Sequence, residues 1–111
     1  MPAKLSAKQR HRRDLELTVP QCCGLIGRGS CDGRLQADHV LKVQWMRWAE
    51  GDRDEMVADA RNGWWLCEWH HMLKDRKLLR PPLRRQDLPR TVEEFAAEFK
   101  LEPIIERHFV Q

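Results

Sequence analysis

Apolar residues recur at helical spacing in several stretches of the chain and at strand spacing in two others. Residues 3–17 hold only Leu5, Leu15 and Leu17 among Lys, Arg and Gln, which predicts a basic helix stopped by Pro20. From Leu35 to Val43 apolar and polar positions alternate until His39 falls out of phase with Val40, Leu41 and Val43. That pattern predicts a short strand ending or bending at Asp38-His39. Residues 44–61 predict two helical pieces. Trp45, Met46, Trp48 and Ala49 make an apolar face before Gly51-Asp52, and Met56, Val57 and Ala60 make another. Asn62-Gly63 signals a turn, and Trp64-Trp65-Leu66 predicts a second strand, in a hairpin with residues 35–41. From Cys67 the spacing is helical to about Leu79, before Pro81-Pro82. Thr91, with Glu94 completing a capping box, predicts a last helix over 92–100 that buries Phe95, Ala96 and Phe99. Beyond Pro103 the pattern predicts little.

The predicted fold class is therefore α+β in one small domain. A basic N-terminal helix (1–20) precedes a core (21–80), and a basic arm with a C-terminal helix (81–111) follows. Residues 80–90 are proline-broken and basic, which predicts an extended arm. A chain of 111 residues buries only a modest core, so a metal staple is in keeping with its size.

Net charge is only +3, but it is unevenly spread. Lys4, Lys8, Arg10, Arg12 and Arg13 lie together with no acid, and a second basic block spans residues 74–90. Two basic blocks flanking a metal-type centre suggest a polyanion, met through its phosphates. Charge runs of this kind are also the ordinary solvated faces of helices. No apolar run approaches the ~18 residues that span a membrane. The first 13 residues lack an apolar core, which predicts no signal peptide and a cytoplasmic location. Clustered thiols stay reduced there and bind metal more often than they pair.

The loop Gln21–Gly33 holds Cys22, Cys23 and Cys31 among four glycines, so its backbone can wrap tightly and aim two thiolates at one centre. Cys67 and His70 sit one turn apart on a helix face. A zinc knuckle of Cys23 (or Cys22), Cys31, Cys67 and His70 meets the demand of structural zinc for four N or S ligands. Cys23 is favoured because the glycine after it relieves the turn. The first pair is spaced more loosely than is usual. Asp38, His39, Asn62 and His71 form a second constellation. A neutral imidazole at His39 can take a proton from water. The Asn62 amide oxygen would hold its Nδ1–H, leaving Nε2 as the acceptor. Asp38 and His71 would hold a divalent cation against a phosphate. Singly, each of these histidines would be an ordinary structural residue.

The order Cys…Cys…Asp38-His39…Asn62-x3-Cys67-x2-His70-His71-x2-Lys74 resembles the HNH endonucleases, most of all the small free-standing ones found in bacteriophage genomes. The match covers about residues 22–75, and His70 stands where that family usually has a second Cys. The resemblance implies a ββα-metal (HNH, His-Me finger) core that hydrolyses phosphodiester bonds, nicking or cutting double-stranded DNA. It makes His39 the general base, Asp38 and His71 the ligands of a catalytic Mg²⁺, Mn²⁺ or similar ion, and Asn62 the residue that orients His39 or braces the loop. Lys74 and Arg76 would contact phosphates from the helix. Zn²⁺ would be structural, DNA the partner, and the cytoplasm of a host cell the place of action. A homodimer or a phage packaging partner are further expectations. Two alternatives remain. A non-catalytic zinc-knuckle DNA-binding module would bind and hydrolyse nothing, and a disulfide-stapled structural protein would hold no zinc.

Overall fold

The computed structural model describes residues 4–111. Its first helix, α1 (Ala7–Thr18), starts at a capping box in which Ser6 Oγ accepts from the Gln9 amide and Gln9 Oε1 accepts from the Ser6 amide. Ala3, where the helix was expected to begin, lies outside the described residues. α1 buries His11 and Leu15, one turn apart on one face. Leu17 is 78% exposed, and Leu5 precedes the helix. Two residues beyond Leu15, Leu17 points about 200° around the axis, so it cannot share the anchoring face.

Strands β1 (Leu35–His39) and β2 (Gly63–Cys67) pair antiparallel, with Leu35 opposite Cys67 and His39 opposite Gly63. Every residue of β2 is buried, as its unbroken apolar run requires. α1 packs near the start of β2. A Cβ on Gly63 would lie 2.8 Å from His11 Nε2 and 2.9 Å from Leu15 Cδ1, so only glycine admits this approach. Helix α3 (Glu68–Asp75) follows β2 directly, capped by Cys67.

The connection between the strands is less helical than the two expected pieces. Residues 43–46 make only a 3₁₀ turn, and α2 is confined to Arg53–Ala58, where Asp52 caps it. Without the Trp45–Ala49 helix the expected apolar face is incomplete: Met46 is buried and Trp45 and Ala49 pack, half-buried, against the core, but Trp48 is 85% exposed.

α3 also ends earlier than the prolines suggested. Lys77 takes a left-handed conformation (φ 55°), and the Leu78 amide bonds back to Leu73 O at 2.8 Å, which closes a Schellman-type end. The supposed arm is part of the core. Leu83 and Leu88 are buried, Arg85 N and Leu83 O pair with Val110, and Arg85 makes a two-point bridge to Glu93 at 2.9 Å. α4 (Arg90–Phe99) starts after Pro89, with no side-chain cap from Thr91. It buries Val92, Phe95 and Ala96 and ends at a second left-handed lysine, Lys100 (φ 57°). Pro103 does not end the structure. It sits in the first turn of α5 (Glu102–His108), where a missing N–H costs nothing. Ile105 and Phe109 then close the core beneath α4. Among the described residues no helix is long and apolar enough to cross a membrane.

Candidate functional site

The loop after α1 runs against β2. Cys23 bridges Trp65, and the Gly24 amide donates to Trp65 O at 2.7 Å. This brings Cys23 to the sheet end where Cys67 caps α3. The Trp69 amide bonds Asp32 O at 3.1 Å, which holds the loop containing Cys31 against the same helix turn. Cys23, Cys31, Cys67 and His70 thus converge, with their ligand atoms all within 4.8 Å of one another. His70 Nδ1 lies 3.4, 3.6 and 3.2 Å from the Sγ atoms of Cys23, Cys31 and Cys67. A tetrahedral zinc with ordinary bond lengths requires an N···S edge of about 3.6 Å. The other ring nitrogen, Nε2, faces the Arg28 carbonyl at 3.1 Å. With its proton donated there, Nδ1 keeps its lone pair toward the sulfurs, the usual outer support of a metal-binding imidazole. Burial works against ionising Cys67, yet the amides of His70 and Asp32 and the neighbouring thiols hold its pKa down to about 7. All four cysteines are free thiols. The donor set fits an ion such as zinc, and Cys22, exposed and outside the cluster, takes no part.

The second constellation gathers at the opposite end of β1. Strand pairing sets Asp38 across from Trp64, whose indole N–H donates to Asp38 Oδ2 at 2.9 Å. Lys74 Nζ reaches the same oxygen at 2.9 Å from α3. The other carboxylate oxygen lies 3.3 Å from His71 Nε2, and Asp75 Oδ2 lies 3.5 Å from that nitrogen. His71 Nδ1 meets Gln36 Oε1 at 2.6 Å. Gln36 and Asp38 are two apart on one strand and so share a face, which is why both grip the same ring. Burial opposes the charge on Asp38, but His71, Lys74 and Trp64 hold its pKa at about 2. Hydrogen bonding to Asp38 raises that of His71.

His39 has different surroundings. Its Nε2 bonds the Val57 carbonyl at 2.8 Å, and its ring stacks on His11 (centroids 3.8 Å apart, planes at 20°). Burial lowers the His39 pKa, so the ring is neutral at physiological pH. Asp38, His39 and His71 line one open cleft of ≈ 630 Å³, walled on another side by Lys8, His11 and Arg12 of α1.

No family model, curated protein or solved structure matches this chain.

Three sequence expectations change with the geometry. Asn62 does not hold the His39 ring. Its amide clamps Leu41 instead, accepting from the Leu41 amide at 2.7 Å and donating to its carbonyl at 3.0 Å. It therefore braces the turn leaving β1. The Val57 carbonyl takes the role expected of Asn62, and because it binds Nε2, the free acceptor on His39 is Nδ1. Lys74 is not available to a phosphate: it is 6% exposed, and its ammonium lies between Asp38 and the His39 carbonyl, 3.1 Å from the latter. Arg76 is exposed, in a shallow depression beside His71 and Asp75. Sequence reasoning missed His11, Gln36 and Asp75. For His11 a signal existed, since it falls one turn from Leu15 on the only apolar face of α1.

Proposed function

We propose that the chain is a metal-dependent endonuclease of the HNH type that hydrolyses phosphodiester bonds in DNA. The observation that carries this reading is the state of His71. Both its nitrogens face oxygen acceptors, Gln36 on one side and Asp38 with Asp75 on the other. With Gln36 Oε1 turned toward the ring, both nitrogens are satisfied in an imidazolium, or with Nδ1 donating and a cation at Nε2. The 3.3 Å separation of Asp38 Oδ1 and His71 Nε2 suits adjacent ligands of a divalent ion, which at bond lengths of about 2.1 Å stand roughly 3 Å apart. Zinc at Cys23, Cys31, Cys67 and His70 would clip the end of the hairpin to α3, in keeping with a ββα-metal core.

A cation held by Asp38 and His71 would supply charge neutralisation at the scissile phosphate and its departing oxygen. The chain's own groups carry the rest. With Nε2–H held by Val57, His39 Nδ1 accepts a proton from water. The hydroxide attacks phosphorus in line, the P–O3′ bond breaks, and the departing oxygen takes a proton from solvent water, leaving 5′-phosphate and 3′-hydroxyl ends. His11 packs behind the His39 ring, and Asn62 fixes the turn that follows it. Arg76 offers a phosphate contact beside the cleft. In a phage-type nuclease, DNA in the host cytoplasm would be the substrate.

One observation favours a second reading. Lys74 already neutralises Asp38, as it would in a purely structural ion-pair network of a zinc-bearing DNA-binding module. Supercoiled plasmid incubated with the zinc-loaded protein and Mn²⁺ separates the two. The nuclease reading predicts nicked circles bearing 5′-phosphates, lost on Asp38→Asn. Salt-sensitive binding with no Mn²⁺-dependent product would instead establish the module.

A further inference from the structure

Lys42 borders the histidine cleft and also a second groove, which runs over Trp45 toward the end of α5. The two halves of this groove, ≈ 310 and ≈ 340 Å³, share Trp45, Arg107 and His108. Its walls carry seven Lys and Arg side chains and no carboxylate, in a chain with 17 acids against 20 bases. Composition alone does not produce such a lining. Lys42 and Lys74 have acidic partners, Asp75 and Asp38. Arg47, Lys77, Arg80, Lys100 and Arg107 form no ion pair among the described residues, and all five are exposed.

Aromatic rings are interleaved with these cations. Trp45 lies flat on His108 (3.8 Å, 5°). Trp48 stands 85% exposed, with the Arg47 guanidinium 5.8 Å from its ring centroid. An indole left this open gains nothing for the fold. Two of the lysines are unusual in another respect. Lys77 and Lys100 occupy left-handed helix ends (φ 55° and 57°), where glycine is the stable choice. Keeping lysine at both costs stability and places both charges on this surface, a pattern that points to use. His108 lies among these charges: besides burial, Lys77, Arg107 and Lys42 push its pKa down.

We propose that this groove binds single-stranded DNA, its phosphates on Lys77, Lys100 and Arg107 and a base stacked on Trp48. Charge alone would bind any polyanion. The open indole among unpaired cations selects a strand whose bases are free to stack. The site goes beyond the hydrolysis proposed above and stands without it, although a strand leaving the cleft past Lys42 would enter this groove.

The test is fluorescence anisotropy of the zinc-loaded full chain, with no Mg²⁺ or Mn²⁺ added so that nothing is cut. The probes are labelled (dT)12, an abasic strand of equal length and a duplex of equal length. Wild type should bind (dT)12 tightest. Trp48→Ala should weaken (dT)12 on the order of ten-fold and leave the abasic strand unchanged. The double variant Lys77→Gly, Lys100→Gly should melt higher than wild type yet bind both single strands more weakly, with a shallower salt dependence. Its raised melting point excludes misfolding as the cause. Equal wild-type affinity for (dT)12 and the abasic strand would overturn the proposal, as would unchanged (dT)12 binding by Trp48→Ala. A wild-type dimer that Trp48→Ala turns into a monomer on sedimentation would overturn it too, assigning this face to a second copy. Failure to nick plasmid bears on the cleft alone.

Discussion

His39 and His71 are neighbours in one cleft, yet local contacts divide the labour between these like side chains. Burial keeps His39 neutral against the opposing pull of its one carbonyl partner, whereas oxygens at both nitrogens draw His71 toward a positive charge. His11 yields a pH prediction. Burial, then the nearby His39, lowers its pKa to about 4, against partial support from the Asn62 carbonyl, Asp38 and Asp59. The unfolded chain takes up that proton first, near pH 6.5. Stability should therefore fall as pH drops from about 6.5 to about 4, by up to ~3 kcal/mol, since each pH unit in that window removes roughly 1.4 kcal/mol. Denaturant titrations at about pH 7 and pH 4.5 should show this acid loss in wild type and a smaller one in His11→Phe, which keeps the stacked ring. Asn62→Ala should cost about 1–3 kcal/mol for each Leu41 backbone group it leaves unpaired, measured by urea unfolding. At this scale the ligand types were readable in the sequence, because Cys and His in short spacings have few other uses. Lys74 and Trp48 were not readable in this way. A lysine beside a histidine looks like a phosphate contact until the fold buries it, and a tryptophan looks like core until its helix fails to form.

The hairpin strands and the helix after them were legible because the apolar run of β2 and the helical spacing of Cys67 and His70 are local signals. The ends of elements were less so. Two helices close at left-handed lysines, a position where sequence reading expects glycine, and α5 begins at a proline that reads as a breaker. The first cysteine pair is widely spaced because its loop must pass along β2 before returning to α3. The Cys23–Trp65 bridge and the Asp32–Trp69 bond are long-range contacts that no local pattern encodes. At this level the prediction concerns metal. Cys22→Ser should retain one zinc per chain by elemental analysis, while Cys31→Ser and His70→Ala should lose it and unfold at lower temperature. Chelation should likewise melt the hairpin–helix unit, since metal binding and folding of such sites are one equilibrium.

The whole molecule sets two surfaces side by side, a carboxylate–histidine cleft and a cationic aromatic groove, with Lys42 on the border of both. Residues 80–90, expected to be an extended basic arm, instead supply Leu83 and Leu88 to the core and Arg80 to the groove, and the chain beyond Pro103 adds Phe109 and Arg107. The basic residues of both stretches were visible in the sequence, but which of them would stay unpaired was not, because Arg85 and Glu93 meet only after α4 has folded back. The proposed chemistry depends on His39 taking a proton from the attacking water in a cleft where Asp38 and His71 hold a cation. Its sharpest check is the initial rate of plasmid nicking in Mn²⁺, compared between wild type and His39→Ala at equal zinc content. A loss of ~10²–10⁴-fold is expected, with zinc and fold retained. A His39→Ala protein that nicks as fast as wild type, or a wild type that never nicks, would refute the proposal.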